Sequence, residues 1–200
     1  GVQPFVVGSG TSINVNLGAG DDTMVLSDTL RNRLRTSGGT LAYDGGASGT
    51  GGDKIDFSTF DDLSFTINGA NSGSLGSSLT FQNLEEVRPG WGAETYTVTT
   101  STMALRIADG GGNGTTITAP SGSLTVTGVV RSKGALTISA RDTLTIAGTA
   151  RISTRNTSIA NDPITGPSAA NSSNQTLAAK SVVVENGAIL TAAADGGYLP

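Results

Sequence analysis

The residues best equipped for chemistry in this chain are carboxylates set among glycines. Gly18-Ala19-Gly20-Asp21-Asp22-Thr23-Met24-Val25 carries the spacing Gly-x-Gly-x-Asp-x-apolar. Glycines let the backbone turn tightly and aim carbonyls at a common point, and the aspartate adds a hard oxygen. The apolar residue then anchors the next strand. This is a donor set suited to calcium. A looser copy follows: Tyr43-Asp44-Gly45-Gly46, an interruption at 47–50, then Gly51-Gly52-Asp53-Lys54-Ile55-Asp56. The candidate metal residues are therefore Gly18, Gly20, Asp21 and Asp22, with Asp44, Asp53 or Asp56 contributing from a neighbouring turn. The competing reading is an Asp/Gly turn that only shapes the backbone.

Other chemistries lose their residues. The chain has no histidine and no cysteine, which removes a Ser-His-Asp triad, an imidazole base, a thiolate nucleophile and a disulfide. Glu85 and Glu86 are adjacent, and neighbours on a strand point to opposite faces, so they do not form an acid–base pair. Trp91, in Arg88-Pro89-Gly90-Trp91-Gly92, can stack on a sugar ring from a turn or cap a hydrophobic stack. Arg131, Lys133, Arg141, Asp142, Arg151 and Arg155 read as mostly turn residues rather than one clustered site, which speaks against a polysaccharide lyase or hydrolase. Residues 1–100 hold eleven acids against five bases, and residues 101–200 five acids against seven bases. An acidic first half fits cation binding and argues against nucleic acid.

The elements that must position these groups are short strands. Glycine makes up 29 of 200 residues and aromatics 4%, so the core rests on Val, Ile, Leu and Ala. Leu124-Thr125-Val126-Thr127, Leu136-Thr137-Ile138-Ser139 and Leu144-Thr145-Ile146-Ala147 repeat one alternating unit, whose period of two buries one face of a strand. The copies begin 12 and then 8 residues apart, so a pair advances 20. Ser181-Val182-Val183-Val184 and Ala188-Ile189-Leu190-Thr191 continue the pattern, and Ala104–Ile107 and Thr116–Thr118 are weaker copies. Near-identical units without aromatics favour stacked rungs over a sandwich, hence an all-β parallel β-helix, a solenoid of about 20 residues per rung. The segment 156–176 loses the alternation and contains two prolines, and it reads as a protruding loop. In the first half, Ser12–Leu17, Phe65–Asn68, Leu79–Phe81 and Tyr96–Val98 also read as strands between Gly/Asp turns, with no helix expected.

Gly122-Ser123-Leu124-Thr125-Val126-Thr127-Gly128 and Gly134-Ala135-Leu136-Thr137-Ile138-Ser139-Ala140 resemble the repeats of filamentous-haemagglutinin-type bacterial adhesins. Gly18, Gly20, Asp22 and Met24 resemble the core of an RTX nonapeptide, with Leu17 in place of its first glycine. Phe81-Gln82-Asn83-Leu84-Glu85 is similar to segments that accompany such repeats and serve as structural rungs. The resemblance implies a right-handed coil. It also implies two regions, an acidic RTX-like 1–100 and a haemagglutinin-like 101–200, that form one continuous solenoid or part of a larger protein. The expected function is a non-catalytic segment of a secreted or cell-surface adhesin or extracellular filament. Its partners would be cell-surface or matrix glycans, proteins or further copies of itself, with no nucleic acid and no transmembrane segment. The alternatives are a glycan-binding module or, less favoured, a polysaccharide lyase or hydrolase.

Overall fold

The computed structural model describes residues 9–90, 92–110, 113–155 and 174–193. The chain makes repeated circuits through the same sheets. The first holds β1 (Ser12–Asn16), β2 (Ala19–Gly20) and β3 (Thr23–Val25), followed by helix α1 (Asp28–Ser37). The second holds β4 (Thr40–Asp44), β5 (Ala47–Ser48) and β6 (Lys54–Asp56), and the third β7 (Leu63–Gly69), β8 (Ser72–Leu75), β9 (Leu79–Gln82) and β10 (Glu86–Arg88). Next come β11 (Glu94–Val98), β12 (Thr102–Met103) and β13 (Arg106–Gly110), then β14 (Thr115–Ala119), β15 (Leu124–Val126) and β16 (Val129–Ser132). The last two circuits are β17 (Leu136–Ala140), β18 (Thr143–Ile146) and β19 (Arg151–Arg155), then β20 (Gln175–Ala178), β21 (Ser181–Val184) and β22 (Ile189–Ala193).

These strands form a nine-stranded sheet, a seven-stranded sheet, and on the third side a two-stranded and a four-stranded sheet. Every pairing between circuits is parallel, and apart from a register shift between β13 and β16 they stay in register, so residues stack in columns. Met24, Ile55, Val87, Ile107, Val130, Ile152 and Leu190 form one column up the seven-stranded sheet. Phe65 and Tyr96 occupy another, their rings stacked at 4.8 Å and 9°, which matches the strand spacing. The expected core is correct: Leu124, Val126, Leu136, Ile138, Leu144 and Ile146 are all buried.

The 20-residue spacing holds only in part. Paired positions lie 21 residues apart at Thr115 and Leu136, and 20 apart at Leu124 and Leu144. They lie 28 apart at Ser12 and Thr40, and 32 apart at Lys54 and Glu86. Two insertions account for the difference among the early circuits.

The first is α1, where no helix was expected. Ser27 caps it by accepting a hydrogen bond from Leu30 N, and Gly38 closes it in the left-handed region at φ 66°, donating to Leu34 O. Leu30 and Leu34, one helical turn apart, pack on the core, and Leu34 is fully buried. The second is the meander β7–β8–β9, antiparallel inside an otherwise parallel sheet. It gives the third circuit three strands in the nine-stranded sheet and one, β10, in the seven-stranded sheet. Its tip fills the third side, with Asn71 O accepting from Leu84 N and Ala70 O from Ala104 N.

The protruding segment expected at 156–176 ends earlier than that, because Gln175 and Thr176 already belong to β20 and pair with Leu136 and Thr137. Its residues 156–173 lie outside the described residues, as does Trp91.

Candidate functional site

Two charged features flank the seven-stranded sheet. The first is a column of acids at the corner that leads into it. Asp22, Asp53 and Glu85 each precede a strand of this sheet, on successive circuits. Asp22 N donates to Asp53 Oδ1 at 2.8 Å, and Asp53 N donates to Glu85 Oε2 at 2.8 Å. The Asp53 and Glu85 carboxylates thus satisfy the backbone of the circuit before them. Asp21 does similar work in the opposite direction, its Oδ1 accepting from Gly51 N and Gly52 N at 2.9 and 2.8 Å.

Of the expected metal residues, the structure brings Asp22 and Asp53 together and leaves the others apart or engaged. Asp44 accepts from Gly46 N, Asn83 Nδ2 and Gln82 Nε2. The Asn83 and Gln82 amides hold its carboxyl below the ordinary range. Asp56 lies on the sheet's outer face opposite Arg88 and accepts from Ser58 N. Gly18 and Gly20 adopt φ of 90° and 138°, as the Gly-x-Gly spacing requires, and Gly18 O accepts from Ala47 N of the next circuit. Glu85 is the member that sequence reasoning missed.

Asp53 is fully buried, and Asp22 Oδ2 and Asp53 Oδ2 are buried without a hydrogen-bond partner. The hydroxyl of buried Tyr43 lies in the field of these acids and donates to Lys54 O at 3.4 Å. Burial first, then the carboxylates of Asp53, Asp22, Glu85 and Asp44, push its pKa up to about 12. Among the described residues, no three acidic side chains converge as a metal cage.

The second feature corrects in part the expectation that the second-half charges fall mostly in turns: Lys133, Arg141 and Asp142 lie outside the strands, but others do not. Arg131 lies in β16 and Arg151 in β19. With Arg88 of β10 and Arg106 of β13 they share the outer face of the seven-stranded sheet, because the residues between them (Val87, Ile107, Val130 and Ile152) point inward. Glu86 also faces outward yet is only 2% exposed, since it is covered by ion pairs to Arg88 Nε at 2.6 Å and Arg106 Nε at 3.3 Å. Glu85 and Glu86 thus engage different groups, Glu85 the backbone of Asp53 at the corner and Glu86 the arginines of the outer face. A hollow of about 420 Å³ opens over this face, lined by Asp56, Glu86, Arg88, Arg106, Arg131 and Lys133 among others. Arg131 also borders a smaller hollow of about 70 Å³ towards Arg151.

No family model, no curated protein and no solved structure matches the chain.

Proposed function

We propose that the chain is a run of right-handed parallel β-helix rungs serving as a structural, non-catalytic segment of a large secreted or surface-attached bacterial adhesin or extracellular filament. The observation that carries this reading is the continuity of the apolar columns from circuit to circuit. Leu124 and Leu144 stack to Val182, Val126 and Ile146 stack to Val184, and Ile152 stacks to Leu190. Val182, Val184 and Leu190 stand at interior positions yet are 42%, 50% and 36% exposed. Stacked apolar columns of this kind are the core of a solenoid, in which each rung contacts its neighbours. The resemblance of the Leu-Thr-Val/Ile repeats to haemagglutinin-type shafts supports the same reading.

The test has two arms. Small-angle scattering should give a particle elongated along the stacking direction. A panel of acidic polysaccharides should yield no new reducing ends and no unsaturated products. Product release that disappears on substitution of a single Asp, Arg or Lys would make the chain an enzyme instead.

A second reading concerns the acid corner. The two buried oxygens without partners, Asp22 Oδ2 and Asp53 Oδ2, favour one weak calcium site there. Asp22 and Asp53 would hold the ion, with backbone carbonyls and water completing a shell of hard oxygens. Partly hydrated sites of this kind in extracellular modules bind at ~10⁻⁴–10⁻³ M.

A further inference from the structure

We propose that the outer face of the seven-stranded sheet binds a linear acidic polysaccharide, one that carries a carboxylate or sulfate on its sugar residues. This deepens the adhesin reading by naming a partner class, and it rests on that reading only for the face being open to the outside. Among the described residues, six of the chain's twelve cations (Lys54, Arg88, Arg106, Arg131, Lys133 and Arg151) lie on or beside this face, with the carboxylates Asp56 and Glu86. The chain as a whole carries a net charge of −4, so the cations are gathered against the average.

Three features shape the face for such a polymer. Glu86, buried beneath Arg88 and Arg106, fixes both guanidinium groups by ion pairs; prior ordering lowers the entropic cost of binding. Planar guanidinium forks match carboxylate and sulfate oxygens. The hollow spans β6, β10, β13 and the β16 region, four neighbouring strands of the seven-stranded sheet.

Charge density and surface chemistry distinguish the partner. Parallel strands set successive circuits ~4.8 Å apart, which suits a polymer with about one charge per residue. Duplex DNA presents one charge per ~1.7 Å. Single-stranded nucleic acid relies on aromatic platforms for its bases, and among the described residues none lines either hollow.

The experiment measures binding of the whole chain to polygalacturonate, dextran sulfate, neutral dextran and duplex DNA. The wild type should bind one or both acidic glycans and not neutral dextran, and binding should weaken from ~50 to ~500 mM salt. Polygalacturonate alone would identify the ligand as a polyuronate, and dextran sulfate alone as a sulfated glycan. Arg131→Gln with Lys133→Gln leaves the Glu86 pairs intact and should lower affinity about tenfold or more. Arg33→Gln with Arg35→Gln on α1 removes the same charge from elsewhere and should change affinity less than about twofold. Circular dichroism confirms that each variant is folded, with Arg131→Gln and Lys133→Gln alone as substitutes for the double variant. Absence of binding to both acidic glycans, equal loss in the two double variants, or tighter binding to DNA would overturn the proposal. None of these outcomes bears on the scattering or turnover tests of the structural role.

Discussion

Residues 94–155 and residues 12–88 build the same three-sided circuit by different means. The later region repeats a short unit with pairing intervals near 20 residues, and its side chains stack like on like: Leu124 on Leu144, Thr125 on Thr145, Ile117 on Ile138. The earlier region inserts a helix and an antiparallel meander, and it holds its corners with carboxylates rather than with aliphatic repetition. Asp21, Asp53 and Glu85 accept backbone N–H groups from one circuit to another. Regularity and polar stapling are alternative ways to fix a parallel register. The first tolerates substitution of any one outward residue, whereas the second depends on particular oxygens.

The sharpest break in the comparison is predicted at Ile138, which is fully buried between Ile117 and Leu177. Ile138→Asp leaves an unpaired charge in an aliphatic column and should cost several kcal/mol, enough to unfold a marginally stable domain. Thr137→Asp, on the outer side of the same strand, should stay within about 0.5–1 kcal/mol of wild type. Equal melting temperatures for wild type and Ile138→Asp would remove the stacked-column core.

How much of this was legible follows from the same contrast. Alternation alone identified Leu124, Val126, Leu136, Ile138, Leu144 and Ile146 as core, because near-constant circuits bring each copy over the last. Ser27 followed by Leu30, Leu34 and Gly38 marks a capped helix, whereas the turn between β7 and β8, Ala70-Asn71, is neither Asn-Gly nor Asp-Gly and gives no strong hairpin signal. Strand β8, Ser72-Gly73-Ser74-Leu75, has one large apolar residue and no pattern to read. The basic face was not legible, since Arg88, Arg106, Arg131 and Arg151 align only once circuit lengths and the register shift in β13 are known. The Asp22–Asp53 pairing was partly legible from the two Gly/Asp segments. Glu85 joined them only because the meander occupies the third circuit and β10 still pairs directly with β6.

Next in size is the effect of calcium on the acidic region. At about 100 times Kd, an ion bound only by the folded chain adds ~2.7 kcal/mol. The wild-type thermal midpoint should therefore rise from chelator to excess calcium, and Asp53→Asn should lose that rise. A wild type with one midpoint in both solutions would reduce the column to backbone stapling.

A smaller effect separates the glycine corners. Gly46 has φ 90°, and a Cβ there would strike Gly18 O. Gly46→Ala should destabilise by about 1–3 kcal/mol. Gly122, in the regular region, has open space around it and no left-handed backbone. Gly122→Ala should be neutral or stabilising by up to about 1 kcal/mol. Similar losses at both positions in chemical denaturation would contradict the distinction between the two kinds of corner.

The smallest effect is a pH dependence that reads the acid corner from inside. Tyr43 has a folded pKa of about 12 against an ordinary value of 10.0. Its folded form favours the neutral phenol, so its contribution to stability is complete below pH 10 and is lost as pH rises towards 12. Tyr43→Phe keeps the packed ring and gives up only a long hydrogen bond to Lys54 O. Near neutral pH its stability should match wild type within about 1 kcal/mol, and above pH 10 its decline should be shallower. Part of the decline should remain, because burial and Glu94 also raise the pKa of Tyr96 in the regular region. Calcium connects this measurement to the acid column. An ion near Asp22 and Asp53 offsets the negative field that raises the Tyr43 pKa, so calcium should flatten the alkaline decline of wild type and leave that of Tyr43→Phe unchanged. A decline equally steep in wild type and Tyr43→Phe would show that the phenol does not feel the acids that surround it.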